Sequence, residues 1–486
     1  MAVNPLRHPR PLEIPLSDYT NALAFIRDHG RDLRYCEAWK KWLLWTGTHW
    51  RHDLQAPVMQ KAKATIKRLL RQGEHLDEDA LSLWMKHIKR SLSTSALEAM
   101  VKSAQNEPGI PLLQEELNQH PFLLPCANGT LDLETGILRA HERADLLTEC
   151  LTVDYDPDAI CPVWDTFLWR IMGGSQGEDS PDMSTGAVER RQAANDRACE
   201  LVAFLQRLFG HCLTGDVREQ DLYVFHGTGA NGKSTLINLL LLLLRQYAKK
   251  GTSELLMKTR TDRHTTERTD LFGKRLVATI ETEEAGRLNE TFIKEATGGD
   301  PITARRMRED NWTFSPTHKI LLATNHRPEI RGTDHAIWRR IKLVPFEVTI
   351  PEDEQDATLP GKLQAELPGI LAWMVRGCLA WQKDGLGYPA AVLDATQAYR
   401  EEQDVFEGFL VDECHRVASA SCSAADLYDA YEHWCKDNDV DAIKKRAFGI
   451  RLTDMGLIPD KGTGGKRLWR GIGLDAPEQT DKRSGA

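Results

Sequence analysis

Two rhythms of apolar and polar residues divide this chain. In its middle, short unbroken apolar runs alternate with helical stretches. Leu222-Tyr223-Val224-Phe225 is a β-branched and aromatic run, and Leu276 to Ile280, Lys319 to Thr324 and Ile341 to Phe346 repeat the pattern. Such runs predict buried strands. Leu239 to Leu244 is an unbroken run of leucine. A helix apolar all round is sandwiched in a core, and this one is far too short to span a bilayer. Strand, loop and helix alternate in this way to about Val348, which predicts an α/β fold.

The flanks read differently. Asp18 to Arg27 has the pattern of a capped helix, and Trp39, Trp42, Trp45 and Trp50 surround Thr46-Gly47-Thr48. That spacing predicts a small β-hairpin with aromatic faces, serving as a mini-core or as a base-stacking platform. Helical periodicity holds from Val58 to Ala104, and Asn128 to Gly136 reads as a second hairpin. Gly173 to Gly186 is rich in Gly, Ser and Asp, which predicts a flexible insert. Leu363 to Gln382 predicts a long helix interrupted at Pro368, and Asp394 to Leu410 another. Ser423 is placed to cap a helix carrying Leu427, Tyr428, Tyr431 and Trp434. The expected units are residues 1–155, 156–220, 221–350, 351–412 and 413–475, with a disordered tail at 476–486.

At 486 residues the chain is long for one core, and its 41% hydrophobic and 27% charged content is that of a globular protein. The net charge of −9 argues against coating nucleic acid over the whole surface. Any such site must be a local basic patch. The ten cysteines include no C-x-x-C pair; Cys414-His415 with Cys422 comes nearest to a metal cluster, and its spacing fits no common zinc pattern. Free thiols in a reducing cytoplasm are expected. Met1 to Asp18 shows no apolar secretion signal. Asp132 with Glu134, and Asp77 with Asp79, could be named as carboxylate pairs of a polymerase, but both sit where turns or helix faces are expected.

The chemistry lies after the first strand. Gly227, Gly232, Lys233 and Ser234 satisfy G-x-x-x-x-G-K-S, with Thr228, Gly229, Ala230, Asn231 and Thr235 completing the loop. Glycines let such a loop wrap a polyphosphate and turn backbone N–H groups toward it. Lys233 would bridge the β- and γ-phosphates of ATP, and Ser234 would ligate Mg²⁺. The second strand ends in Glu281-Thr282-Glu283-Glu284, where Glu281 or Glu283 could hold the metal and orient water. The third ends in Asn325, whose amide can hold water or report the γ-phosphate. Arg339 and Arg340 follow, and either could reach a neighbouring subunit's γ-phosphate. Between the second and third strands, Lys294 and then Arg305, Arg306 and Arg308 mark a helix, a turn and a basic hairpin suited to a phosphate backbone. A second basic set, Lys444, Lys445, Arg446, Arg451, Lys461, Lys466, Arg467 and Arg470, closes the chain. There the helix of Phe448, Ile450 and Leu452 would read a groove, with a wing tip at Gly462 to Gly465.

These motifs resemble the phage and plasmid primase–helicase family, whose helicase part belongs to superfamily 3 and is similar to the C-terminal half of the poxvirus primase–helicase. The resemblance rests on Gly227 to Thr235, Leu271-Phe272-Gly273-Lys274-Arg275 running into Glu281, Lys294 to Asp300, Thr324-Asn325 with Pro328, and Trp338-Arg339-Arg340 with Pro345-Phe346. It implies an AAA+-like P-loop core, a helicase-associated N-terminal domain and a winged-helix-like end. It also implies a hexameric ring moving 3′→5′ on single-stranded DNA, with a hairpin from each subunit in the channel.

Many members carry a primase–polymerase domain before the helicase. This chain begins almost directly with the helicase-associated region, so a separate primase or polymerase is the expected partner. The leading expectation is a replicative helicase of a phage, prophage or plasmid-like element, acting on single-stranded and forked DNA in a bacterial cytoplasm and not at a membrane. The competing ones are an origin-recognition factor switched by ATP, and an RNA helicase.

Overall fold

The computed structural model describes residues 16–175, 185–258, 267–280, 286–305, 311–330, 335–403, 405–417, 419–438, 440, 442–455, 457–461 and 467–475. Helix α1 (Asp18–His29) begins where Ser17 caps it. The Ser17 hydroxyl accepts the Thr20 N–H at 3.2 Å, and the Thr20 hydroxyl accepts the Ser17 N–H at 2.9 Å. Strands β1 (Leu33–Cys36), β2 (Lys41–Trp45) and β3 (Trp50–His52) follow, with Trp45 opposite Trp50. Of the hairpin's four tryptophans, Trp42 and Trp50 are buried in the core, whereas Trp39 and Trp45 are half-buried. Helices α2 (Pro57–Arg71), α3 (Glu78–Ser91) and α4 (Thr94–Ala104) carry the expected periodicity, and β4 (Pro111–Leu112) completes a sheet of order β3-β2-β1-β4. Strands β5 (Leu123–Cys126), β6 (Gly129–Asp132) and β7 (Ile137–Arg139) form an antiparallel meander. The Asp132 carboxylate accepts the Glu134 N–H at 2.8 Å, and that of Asp77 accepts the Ala80 N–H at 2.9 Å. One carboxylate of each pair thus serves a turn or a cap.

The middle begins with α5 (Pro162–Ile171) and α6 (Thr185–His211). It continues through β8 (Leu222–His226), α7 (Lys233–Leu244), β9 (Ala248–Gly251), β10 (Leu276–Ile280) and α8 (Glu290–Thr297). The hairpin β11 (Ile302–Arg305) and β12 (Asn311–Phe314) comes next, then β13 (Lys319–Thr324), α9 (His335–Trp338) and β14 (Ile341–Pro345). Five of these strands make one parallel sheet of order β14-β8-β13-β10-β9. Alternate residues bury opposite faces. Tyr223, Phe225, Leu276, Ala278, Leu321 and Val344 join the core beneath α5, α6 and α7, whereas Leu222, Val224, Val277, Ile320, Leu322 and Leu343 pack toward α8 and the hairpin. A parallel sheet covered on both faces explains why its strands read as unbroken apolar runs. Strand β9 was not legible: Ala-Lys-Lys-Gly has no apolar rhythm, and it pairs on one side only, as the sheet edge.

Helices α10 (Leu359–Ala365), α11 (Leu367–Asp384), α12 (Ala390–Glu402) and α13 (Val405–Glu413) follow, and two of their boundaries correct the sequence reading. The expected break at Pro368 lies instead at Glu366, and Pro368 sits in the first turn of α11, where its missing N–H costs nothing. The Glu366 carboxylate is turned to α5, accepting the N–H of Val163 at 3.1 Å and of Trp164 at 3.0 Å. The single helix expected over Asp394 to Leu410 is two. Helix α12 is capped by Gln403, whose side-chain oxygen accepts the Ile330 N–H at 2.9 Å and so fastens that end to the loop after β13. The last unit holds β15 (Cys414–His415), β16 (Ser421–Ser423), α14 (Ala424–Asp437), α15 (Lys445–Asp454), β17 (Ile458–Lys461), β18 (Arg467–Arg470) and β19 (Gly473–Leu474). Its antiparallel sheet has the order β16-β18-β17, and Ser423 caps α14 as expected. Among the described residues no group of three or more His, Cys, Asp or Glu side chains gathers as metal ligands would, and His415 bonds Asp475 at 2.7 Å. The 476–486 tail, the Gly462 to Gly465 wing tip and most of the 173–186 insert lie outside the described residues.

Helices α6 and α11 cross closely at two glycines. A Cβ on Gly377 would lie 1.9 Å from the Gln206 carbonyl oxygen, and one on Gly210 would lie 2.1 Å from the Cys378 nitrogen. Gly377→Ala is therefore expected to destabilise the protein by about 1–3 kcal/mol or more, because backbone cannot move aside as a side chain can. Gly361→Ala, on α10 with nothing within 4 Å, is the control and should be neutral or slightly stabilising. Thermal unfolding of the two variants measures the difference; equal midpoints would contradict the close crossing.

Candidate phosphate site and basic faces

Strand β8 hands the chain to the loop Gly227–Gly232, and α7 begins at Lys233. The loop runs through left-handed backbone at Gly229 (φ 111°), Ala230 (φ 47°) and Gly232 (φ 78°). Successive left- and right-handed residues bring N–H groups together around an anion. A Cβ on Gly227 would lie 2.1 Å from the Phe346 carbonyl oxygen, so only glycine fits there. The segment after β14 braces the loop from outside. Ile350 donates its N–H to the Ala230 carbonyl at 2.7 Å, and the Asn231 amide donates to the Phe346 carbonyl at 3.3 Å.

Lys233 points back into this loop and is 5% exposed. Its ammonium donates to the Gly227 carbonyl at 2.6 Å, the Asn231 side-chain oxygen at 3.1 Å and the Asn325 side-chain oxygen at 3.1 Å. Three N–H donors thus meet three acceptors, all neutral. Burial lowers its pKa to about 8. Asn325 reaches it because β13 is the parallel neighbour of β8, with Thr324 in register with His226. The Thr324 hydroxyl shapes the next turn by accepting the His326 N–H at 3.0 Å. Ser234 and Thr228 are exposed beside the ammonium's cradle, and Thr235 is half-buried. A polyphosphate and its Mg²⁺ fit this donor set: a desolvated cation without a carboxylate partner among its contacts, next to an open hydroxyl. Glu281 and Glu283 lie outside the described residues.

The two arginines part company. Arg339 is exposed, with its guanidinium 3.5 Å from the Gln220 side-chain oxygen. Arg340 is buried and donates to the Thr297 hydroxyl at 3.2 Å and the Ala336 carbonyl at 2.6 Å. The two candidates thus differ in place, Arg339 at the surface and Arg340 within its own chain.

Among the expected phosphate-backbone contacts, Lys294 sits in the last turn of α8 and is half-buried. Arg305 is exposed at the end of β11, opposite Asn311, whereas Arg306 and Arg308 lie outside the described residues. In the last unit Lys444, Lys445 and Arg446 are exposed at the start of α15, and Lys445 lies 5.0 Å over the Tyr428 ring. Arg467 is exposed at the start of β18, and Lys466 lies outside the described residues. Two of the expected cations are engaged within the unit: Arg470 pairs with Asp460 at 2.6 Å, and Arg451 lies over Phe406 at 5.0 Å. Helix α15 buries Phe448 and Leu452 but exposes Ile450.

Sequence reasoning missed the run 325–330 as a connector. Arg327 pairs with Glu402, the Tyr399 hydroxyl donates to the Pro328 carbonyl, and Ile330 bonds Gln403. These partners are 71 to 75 positions apart, so no local pattern could reveal them.

Comparison with known proteins agrees with this layout. Residues 22–173 match the family described as D5 N terminal like, and residues 225–340 match a family of unknown function, DUF5906. A putative helicase of Acanthamoeba polyphaga mimivirus is 29% identical over 384 residues, covering 74% of this chain and 38% of the relative. A putative helicase of Frog virus 3 is 24% identical over 483 residues, covering 83% of this chain and 49% of the relative. A putative primase of African swine fever virus is 26% identical over 238 residues, covering 47% and 22%. The chain thus spans less than half the length of these curated relatives. None of the helices, among the described residues, is long and apolar enough to cross a membrane.

The neutral setting of Lys233 makes ligand binding pH-dependent with a definite sign. An anion on the ammonium raises its pKa above the value of about 8 found without one. Binding of a nucleoside triphosphate should therefore take up no proton at Lys233 well below pH 8 and approach one proton above it. Affinity should fall by up to about tenfold per pH unit there. Calorimetry in two buffers of different ionisation heat measures this uptake. Equal uptake in wild type and Lys233→Met at pH 9 would contradict the assignment.

Proposed function

We propose that this chain, which belongs to the primase–helicase family, is an ATP-driven helicase that moves along single-stranded DNA. The observation that carries this reading is the joining of Lys233 to Asn325 between neighbouring parallel strands. A phosphate group drawn to Lys233 would release Asn325, so the state of the nucleotide would be felt at the end of β13. The strand order β14-β8-β13-β10-β9 supports an AAA+-like P-loop core. Helices α14 and α15 with the β16-β18-β17 sheet support a winged-helix-like end.

In this reading Lys233 and the loop 227–235 hold the phosphates of ATP. Ser234, with Glu281, would hold Mg²⁺, which neutralises phosphate charge when bound. Glu281 or Glu283 and Asn325 orient the attacking water, and Arg339 of an adjacent subunit offsets charge in the transition state. Lys294, Arg305, Arg306 and Arg308 carry the strand; Lys444, Lys445, Arg446, Lys466 and Arg467 hold duplex or forked DNA. A hexameric ring moving 3′→5′, a separate primase or polymerase, a phage, prophage or plasmid-like origin and a bacterial cytoplasm complete the proposal. A second reading, ATP as a switch for assembly at an origin, is favoured by the bonds of Arg327, Pro328 and Ile330 to the end of α12. They tie the loop that follows Asn325 to α12, which precedes α13 and the basic unit.

Multiple-turnover ATP hydrolysis and strand displacement, with single-stranded DNA and RNA compared, distinguish these readings. Lys233→Ala should lose roughly a thousandfold or more in turnover. Arg339→Ala should lose turnover while retaining nucleotide binding. Mixing the two variants should restore part of the activity, because some interfaces then pair an intact half from each. No recovery at any ratio, with subunit exchange verified, would count against a shared site.

A further inference from the structure

A cavity of about 250 Å³ opens between the N-terminal sheet and the edge of the central sheet. Its walls include Trp39, Lys41, His52, Glu149, Phe272 and Lys274. Trp39 meets Phe272 edge to face with ring centroids 6.3 Å apart, and His52 lies 5.0 Å from Trp39. The rings form an aromatic corner, half-buried on each side. Trp39 is fixed in it by donating its indole N–H to the Gln114 side-chain oxygen at 2.8 Å. Lys41 is exposed at the rim, while Lys274 is half-buried and donates to the Gln246 carbonyl at 2.5 Å. Phe272 also packs edge to face on Trp312 at 5.1 Å and Phe314 at 5.6 Å, both on β12 of the basic hairpin. The cavity therefore shares a wall with the base of the element expected to carry the strand.

We propose that this cavity binds one unpaired nucleotide, its base stacked in the Trp39–Phe272 corner and its phosphate on the Lys41 and Lys274 ammoniums. Its size supports one unit. It falls below the roughly 300–1,000 Å³ of pockets for drug-sized ligands. The chemistry is that of single-strand recognition, in which aromatic faces take bases of any sequence and cations follow the backbone. The Glu149 carboxylate adds an acceptor, which favours bases bearing an amino group over thymine. The proposal deepens the helicase reading, adding a second grip on the strand outside the ring's hairpins. The ligand's source is the strand itself and not a free nucleotide.

The test is equilibrium binding of fluorescein-labelled oligo-dA and oligo-dT to the full chain, with dAMP as competitor and melting temperature as the control for folding. Trp39→Leu should weaken strand binding roughly 5- to 100-fold, the range for loss of one stacked base. Lys41→Gln, an exposed change, should weaken it less and flatten its salt dependence by about one unit of slope. Oligo-dA should bind more tightly than oligo-dT, and that preference should vanish in Glu149→Leu, which leaves no acceptor there. If wild type binds the strand and folded Trp39→Leu and Lys41→Gln bind it equally well, the cavity is not a strand site, although the helicase reading stands. If Trp39→Leu loses dAMP alone, the ligand is a free nucleotide and the proposal is overturned. If wild type binds neither oligonucleotide, it is the helicase reading that fails.

Discussion

A buried ammonium whose three hydrogen bonds all go to neutral oxygens sets the terms for this protein. Lys233 is held by a loop carbonyl, a loop amide and an amide on the next strand. Burying a charge this way is unfavourable unless an anion arrives. The loop can hold it only because glycines accept its backbone and because β14 ends against it, with the Phe346 carbonyl where any Cβ at Gly227 would be. The sheet order does the rest, placing β8 between β14 and β13 so that brace, loop and Asn325 converge.

A second buried cation joins the N-terminal part of the chain to this sheet. The Arg275 guanidinium donates to the Leu123 carbonyl at 2.6 Å and to the Leu213 carbonyl, and lies 4.5 Å over the Tyr247 ring. It stands at the start of β10 and reaches both the β5 meander and the end of α6. Buried polar groups of this kind are costly when broken, because the partner oxygens are then left dry. The same turn, Phe272-Gly273-Lys274, forms a wall of the cavity. One short segment therefore binds the two parts together and lines the space between them.

Much of this was legible in the sequence, and for a physical reason. Strands buried on both faces must be apolar throughout, so β8, β10, β13 and β14 announced themselves; β9, at the edge, did not. The glycine-rich turn between β8 and α7 was legible because its glycines answer to backbone geometry. Helix breaks were misplaced where a distant partner sets them: Glu366 serves α5, and Gln403 serves the loop after β13. Arg339 and Arg340 look alike in sequence. Only their surroundings separate an exposed guanidinium from one spent on Thr297 and Ala336. The close crossing of α6 and α11 was invisible for the same reason, since Gly210 and Gly377 lie in helices far apart in the chain.

The most direct test of the account is a structure of the protein with Mg²⁺ and a non-hydrolysable ATP analogue. The account predicts that the Lys233 ammonium leaves the Asn325 side chain, now 3.1 Å away, and bonds phosphate oxygens while Ser234 faces the metal. A triphosphate bound elsewhere, with Lys233 still held by Gly227, Asn231 and Asn325, would contradict it.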